Sequence, residues 1–381
     1  MKFEPFKLER YFAKYEFSAP YLLSSSDCEP LTLTELLALA NPDSLARWDQ
    51  LSLGYTESQG DPSLREAIAG LYREIAPGQV LVLSPEEGIL IAMQAILEPG
   101  DHVICTYPGY QSLYEIARSL GCEVTFWKPE YQQGWHFDPA FLENAVQANT
   151  KLIVVNFPHN PTGATLSPEE FRSVLELAER GGITVFSDEM YRLLEYAETQ
   201  RLPYACDVYA NAVSLFGMSK SFGLAGLRIG WLATQNAALL QKFVALKDYT
   251  TICSSAPSEI LALIALRAQA QIIARNLDII QANLSTLAAF FTRHAETFEW
   301  HAPTAGPIAF PRLRLPVEID AFCKKLVEQQ GVMLLPASVY DYPIAKIKGF
   351  FANHFRLGFG HANLEPGLER LESFLAARAW K

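Results

Sequence analysis

The residues best suited to chemistry lie in Ser219-Lys220-Ser221-Phe222-Gly223-Leu224-Ala225-Gly226-Leu227-Arg228-Ile229-Gly230. One amine, a glycine-studded stretch and one guanidinium eight residues on suit a lysine that forms an imine while an arginine holds a phosphate. Most lysines and arginines are surface groups. Here the flanking Leu215, Phe216, Phe222, Leu224, Leu227, Ile229 and Trp231 are apolar, so both cations are expected within a largely buried segment. A buried charge needs a partner or a shifted pKa, and a neutral buried lysine is the form that attacks an aldehyde.

Two more segments carry polar groups at the ends of apolar runs. Val154-Val155-Asn156-Phe157-Pro158-His159-Asn160-Pro161-Thr162-Gly163 reads as a strand ending in an Asn-Pro turn. Pro161 keeps Asn160 out of helix and leaves its amide free to point into a site. Thr184-Val185-Phe186-Ser187-Asp188-Glu189-Met190-Tyr191 ends in a carboxylate with a phenol three residues on, and open α/β sheets bind ligands at the carboxyl ends of their strands. Ordinary turns and acid-rich helix starts give the same local patterns. The weight therefore falls on the order Asn160, Asp188, Tyr191, Lys220, Arg228 within about seventy residues.

That order and spacing resemble the cofactor motif of the class I/II aminotransferases, the fold-type I pyridoxal phosphate enzymes. The resemblance implies that Lys220 carries the cofactor as an imine and later moves a proton as base and acid. It makes Arg228 the phosphate anchor, and Asn160 and Tyr191 the partners of the ring hydroxyl. Asp188 would keep the ring nitrogen protonated so that the ring acts as an electron sink. Tyr110, in Tyr107-Pro108-Gly109-Tyr110, aligns with the aromatic that stacks on the ring. Arg356, in His354-Phe355-Arg356-Leu357-Gly358-Phe359-Gly360, aligns with the arginine that binds the substrate α-carboxylate, a task that suits a bidentate fork; Asn160 is also assigned to substrate. Gly54-Tyr55-Thr56-Glu57-Ser58-Gln59-Gly60 resembles the segment whose tyrosine reaches the neighbouring subunit's phosphate, so a homodimer is implied.

The chain departs from the family pattern twice. Leu83-Ser84-Pro85-Glu86-Glu87-Gly88 stands where small residues usually cup the phosphate with their amides. Ser84 with Glu87 three residues on, and Pro85 between, forms a capping box. The helix start still offers amides to an anion, so Glu86 is counted with the cofactor residues provided the carboxylates turn away. Gly217 replaces a phosphate-binding serine common among relatives, and Ser219 is the substitute.

The elements that must position these groups alternate in type. Residues 80–83, 102–106, 122–127, 152–156, 184–188 and 212–216 read as strands, with helices over 88–97, 111–120 and 168–180 among them. This is an α/β fold, a mostly parallel sheet flanked by helices, with a smaller α/β domain. Residues 258–298 hold no proline or glycine and predict one or two long helices. A large cofactor domain is expected over 41–285 and a small one from 1–40 with 286–381. With 50% hydrophobic and 19% charged residues among 381, long disordered tracts are not expected. A net charge of −11 argues against a nucleic-acid surface. Six scattered cysteines read as reduced packing residues of a cytoplasmic protein, and neither a signal-peptide core nor a membrane-spanning run is legible.

The function these residues imply is a pyridoxal 5'-phosphate-dependent aminotransferase moving an amino group from an amino acid to a 2-oxo acid. The alternative on the same constellation is a lyase or cyclase, performing β-elimination or a capreomycidine synthase-like ring closure. Leu246-Lys247-Asp248-Tyr249-Thr250-Thr251 and the run 155–163 also resemble those cyclases. A non-catalytic regulator built on this fold would carry an added basic winged-helix region, and none is legible. No second arginine is placed to meet an acidic side chain, which leaves aromatic, aliphatic and basic amino acids as substrates.

Overall fold

The computed structural model describes residues 2–341 and 351–380. At its centre a seven-stranded sheet runs in the order β1-β7-β6-β5-β4-β2-β3. The strands are β1 Val80–Leu83, β2 His102–Thr106, β3 Glu123–Trp127, β4 Thr150–Asn156, β5 Thr184–Asp188, β6 Ala212–Gly217 and β7 Gly230–Ala233. Six run parallel, and β7 runs against both neighbours. The expected strands are β1 to β6; β7 was not anticipated, because four residues starting at a glycine carry little β pattern of their own.

Every position of β2, β5 and β6 is buried, as expected for a sheet covered on both faces. Successive side chains point to opposite faces, and the cores follow that alternation. Leu81 and Leu83 join one hydrophobic cluster with Ile89, Ala92 and Met93 of helix Pro85–Ile96. Val80 and Val82 join a second with Leu261 to Leu266 of helix Ala256–Arg267. Helix starts obey their caps: Ser167 and Glu170 close a capping box before helix Pro168–Gly181, and Ser84 with Glu87 does so before Pro85–Ile96.

The long run after 256 is two helices, Ala256–Arg267 and Gln269–Arg293, which meet at 78°. The second enters a separate cluster containing Ile280, Leu287 and Phe290 together with Phe322, Phe355, Leu357 and Leu371. Here short strands β8 Phe298–Glu299, β9 Ile308–Ala309, β10 Arg312–Leu313, β11 Leu335–Pro336 and β12 Phe355–Gly358 form two small sheets, β10-β8 and β11-β12-β9. Among the described residues no single helix is long and apolar enough to cross a membrane.

The amino-terminal segment is built into both parts. Helix Lys7–Tyr15 buries Leu8, Phe12 and Tyr15 in the first cluster, and Leu23 and Cys28 belong to the third. Between them the chain lies directly against β12. A Cβ on Gly358 would stand 1.6 Å from the Ser25 carbonyl oxygen, and one on Gly360 2.2 Å from that of Asp27. Gly358 N donates to Leu23 O at 2.9 Å, and Glu29 N to Gly360 O at 2.9 Å. The two glycines after Arg356 therefore let residues 23–29 run alongside the strand that carries it.

Candidate active site

The carboxyl ends of β4, β5 and β6 open into a cavity of about 360 Å³, where open α/β sheets bind ligands. Glu86, Tyr110, Asn160, Asp188, Tyr191, Ser219, Lys220, Arg228 and Arg356 all line it. Tyr55 stands apart, 91% exposed on the surface of the single chain.

Strand pairing sets the floor. Asn156 and Asp188 are register partners at the ends of β4 and β5. Asn156 Nδ2 donates to Asp188 O at 3.2 Å, and Asn156 Oδ1 accepts from Asn160 N at 2.8 Å, so the strand end holds the turn. The Asp188 carboxylate accepts from Met190 N at 3.1 Å. Burial pushes its pKa up to about 7, against the opposing pull of that amide and of Lys220. Its neighbour Glu189 accepts instead from Ser214 Oγ at 2.8 Å and Ala205 N at 3.1 Å. Tyr191 is buried, and its hydroxyl has no hydrogen-bond partner among the described residues.

Lys220 follows β6 by three residues and donates from Nζ to Ser26 Oγ at 3.0 Å. Burial holds its pKa below the usual lysine value; Arg356 and Arg228 push the same way and Asp27 opposes them. The amine is therefore biased toward its neutral form.

Arg228 departs from the expected burial. Its apolar neighbours Phe222, Ile229 and Trp231 are buried, but Arg228 itself is exposed at the cavity rim. It follows the turn Ala225–Leu227 at φ 54°, a left-handed backbone that turns the chain at this point. Its Nη1 donates to Ser219 Oγ at 3.4 Å and to Ala225 O at 3.1 Å, so guanidinium and hydroxyl face the same corner.

The two departures from the family pattern also acquire physical reasons. Glu87 turns away from the cavity to accept from Thr251 Oγ1 at 2.8 Å and from Thr250. Glu86 does line the cavity, accepting from Ser112 Oγ at 3.2 Å, and burial pushes its carboxyl up to about 7. Gly217 faces Gly230 across the β6–β7 ladder. A Cβ on Gly217 would stand 2.7 Å from Gly230 Cα and 3.3 Å from Pro85 Cγ, so a serine there would clash with the partner backbone.

At the opposite end lies Arg356, 1% exposed. It donates to Ser24 O at 2.8 and 3.2 Å, to Asn160 Oδ1 at 3.2 Å and to Tyr340 Oη at 3.3 Å. All four bonds end on neutral oxygens. A buried guanidinium so held retains its full charge for an incoming anion.

The sequence reading missed one wall. Glu9, Phe12, Glu16, Ser25, Ser26 and Asp27 also line the cavity. Glu9 accepts from Tyr110 Oη at 3.1 Å, while the Tyr110 ring lies 4.9 Å from that of Phe6 at 52°. Asp27 lies 3.4 Å from His361 Nε2. The available signals were the polar run Ser24-Ser25-Ser26-Asp27 between apolar residues, and the glycines that β12 needs to receive it.

The model of the family "Aminotransferase class I and II" matches residues 22–371. The chain is 29% identical to capreomycidine synthase of Streptomyces vinaceus, covering 98% of this chain and 94% of that one. Among solved structures, a PLP-dependent aminotransferase from Streptococcus suis superposes with TM-score 0.91 at 31% identity, covering 99% of both chains. The PLP-dependent cyclase OrfR superposes with TM-score 0.88 at 29% identity, covering 99% of this chain and 98% of that one.

Proposed function

This chain belongs to the class I and II aminotransferase family, a pyridoxal phosphate-dependent fold, and we propose that it transfers an amino group from an amino acid to a 2-oxo acid. The observation that carries this reading is the convergence of a neutral-leaning Lys220, a buried carboxyl on Asp188 and the uncompensated Arg356 on one cavity. The residues present fit the cofactor: the unpaired Tyr191 hydroxyl suits a ring oxygen, Asp188 a ring nitrogen, and Arg228 with Ser219 a phosphate. The cofactor supplies an electron sink for bonds at the substrate α-carbon.

The chain's own groups do the rest. Lys220 Nζ would hold the cofactor covalently, and as a free amine it would take the α-proton as base and return it as acid. Ser26 Oγ holds Nζ within the cavity between those steps. Arg356 clamps the α-carboxylate with Asn160 and Tyr340 bracing the fork, so that the Cα–H bond is presented to the lysine. Asp188, ionised beside a ring cation, would keep that nitrogen protonated. Tyr110 would cover the cofactor ring, and the amides at the Glu86 end of helix Pro85–Ile96, which lines the same cavity as Arg228, would help to hold the phosphate. In this reading residues 41–285 hold the cofactor, residues 1–40 and 286–381 form the smaller part, and Tyr55 serves a second copy of the chain.

A second reading is ring closure on the same site, favoured by the likeness to capreomycidine synthase over 98% of this chain and to the cyclase OrfR. The deciding experiment mixes the yellow holoenzyme with single amino acids and no oxo acid. Permanent bleaching with one equivalent of 2-oxo acid released is the transaminase result. Transient colour with return of the yellow form overturns transamination, in favour of elimination where 2-oxo acid and ammonia accumulate together and of cyclisation where neither is released.

A further inference from the structure

The corner assigned to the cofactor phosphate is short of donors. Gly217 has no hydroxyl to offer, and Pro85, at the start of helix Pro85–Ile96, has no N–H. Of the amides that follow, Glu87 N donates to Ser84 Oγ at 3.4 Å and Gly88 N to Ser84 O at 3.0 Å. Among the described residues Glu86 N has no acceptor, so this first turn offers one free amide beside Arg228 and Ser219.

The Glu86 side chain stands at the same corner. A Cβ on Gly217 would lie 3.3 Å from Pro85 Cγ and one on Gly230 2.8 Å from it. Ser219 and Arg228 each lie two residues inside those glycines, so the helix start packs on the turn that carries the guanidinium. Partners sort the two acids of the first turn. Glu87 is drawn outward by Thr251 Oγ1 at 2.8 Å, whereas Glu86 lines the cavity and accepts from Ser112 Oγ at 3.2 Å. That bond fixes one carboxyl oxygen as an acceptor and leaves the other to carry a proton.

The surroundings favour that proton. Burial raises the Glu86 pKa and the Ser112 hydroxyl opposes it; Glu9 of helix Lys7–Tyr15 and Asp188 at the end of β5 add to the rise, Tyr110 opposes, and the result is about 7. The other charged groups on the cavity are Glu16 and Asp27 of the amino-terminal wall, Lys220 and Arg228 after β6, and Arg356 on β12. Glu115, on the helix that carries Ser112, is paired with Arg118. An ionised Glu86 would repel a phosphate dianion. A protonated one donates a strong O–H···O⁻ bond to it.

Resting on the cofactor reading above, we propose that Glu86 is a phosphate ligand in its neutral acid form, its carboxyl O–H donating to a phosphate oxygen beside Arg228 and supplying the donor that Gly217 cannot. The bound dianion in turn favours retention of that proton. Rising pH removes it and turns a donor into a repelling charge. Cofactor capture is therefore favoured on the acid side of neutrality and release on the alkaline side.

The test uses ring compounds that cannot form an imine. Apoprotein is titrated by calorimetry with pyridoxine 5'-phosphate and with pyridoxine at pH 6.5 and 8.5. The ratio of the two affinities isolates the phosphate, which is mostly a dianion across that range, because Asp188 and the ring contribute to both ligands alike. In wild type the ratio should fall about tenfold between the two pH values. In Glu86→Gln, which keeps a donor and has no proton to lose, it should stay level. Glu86→Ala decides the sign: at pH 6.5 it should bind pyridoxine 5'-phosphate about tenfold more weakly than wild type. Equal or tighter binding in that variant means that the side chain gives the phosphate nothing or repels it, and overturns the proposal. The same pH slope in wild type and Glu86→Gln also overturns it, while the cofactor reading stands. No binding of pyridoxine 5'-phosphate to wild type at either pH, with no yellow imine on adding pyridoxal 5'-phosphate, overturns the cofactor reading itself.

Discussion

Two walls of one cavity are built on opposite principles. The floor, Asn160, Asp188, Tyr191 and Lys220, comes from strand ends of a rigid parallel sheet, where hydrogen-bonded register places each group. The facing wall, Glu9 to Asp27, reaches the site from far along the chain: Ser26 and Lys220 touch across 194 residues of sequence. The floor presents groups biased toward neutrality, a raised Asp188 and a lowered Lys220, as proton chemistry near pH 7 requires. The wall presents Glu9 and Glu16 without ion pairs among the described residues, and Asp27 beside His361. The contrast assigns reaction type to the floor and side-chain choice to the wall.

Removing the floor's amine gives the largest effect expected. Lys220→Ala should lower turnover by at least about a thousandfold, because covalent attachment and proton transfer are lost together. Borohydride reduction followed by mass measurement should then find no cofactor fixed to the protein, whereas the wild type carries one. Full turnover in this variant would place the chemistry elsewhere than on the floor.

Arg356 joins the two regions, since it grips from β12 while Ser24 of the wall and Asn160 of the floor brace it. Arg356→Lys keeps the charge and loses the fork. KM should rise roughly tenfold to a hundredfold for every amino acid, basic or neutral alike, with the cofactor absorbance intact. A rise confined to one side-chain class would transfer Arg356 to the specificity wall and break the division proposed here.

The floor was legible in the sequence and the wall was not, for a physical reason. Asn160, Asp188 and Lys220 each lie within a few residues of a strand end, so local apolar runs announce them. Ser26 and Asp27 are placed by the contact of residues 23–29 with Gly358 and Gly360, which no local pattern encodes. Arg228 was misjudged because neighbouring apolar side chains bury themselves without burying the residue between them. The division near Ala268 is similarly hidden, for the run contains neither glycine nor proline and tertiary packing alone turns the chain there.

The floor's raised carboxyl should also appear in the stability of the apoprotein. A folded pKa of about 7 for Asp188 lies above the ordinary aspartate value of 3.8. Its contribution is therefore fully present below the lower value and is lost as pH rises through the upper one. The thermal midpoint of apoprotein should fall between pH 3.8 and about 7 more steeply in wild type than in Asp188→Asn, which has no such proton to lose. Bound cofactor should remove the same difference, because a ring cation favours the ionised carboxylate. Parallel slopes in both proteins would show that Asp188 is not titrating and that the floor is less buried than its geometry indicates.

The smallest effect is expected where wall meets floor. Ser26 Oγ accepts from Lys220 Nζ at 3.0 Å, and this contact favours the charged amine more than the neutral one. Ser26→Ala should therefore lower the Lys220 pKa slightly. Cofactor capture by apoprotein needs the neutral amine, so the rising limb of its rate against pH should move to lower pH while the plateau changes by less than about tenfold. A limb moved to higher pH would mean that the wall, through Asp27 or Glu16, gains influence over Lys220 once the hydroxyl is gone. The separation of floor chemistry from wall recognition would then fail at its closest contact.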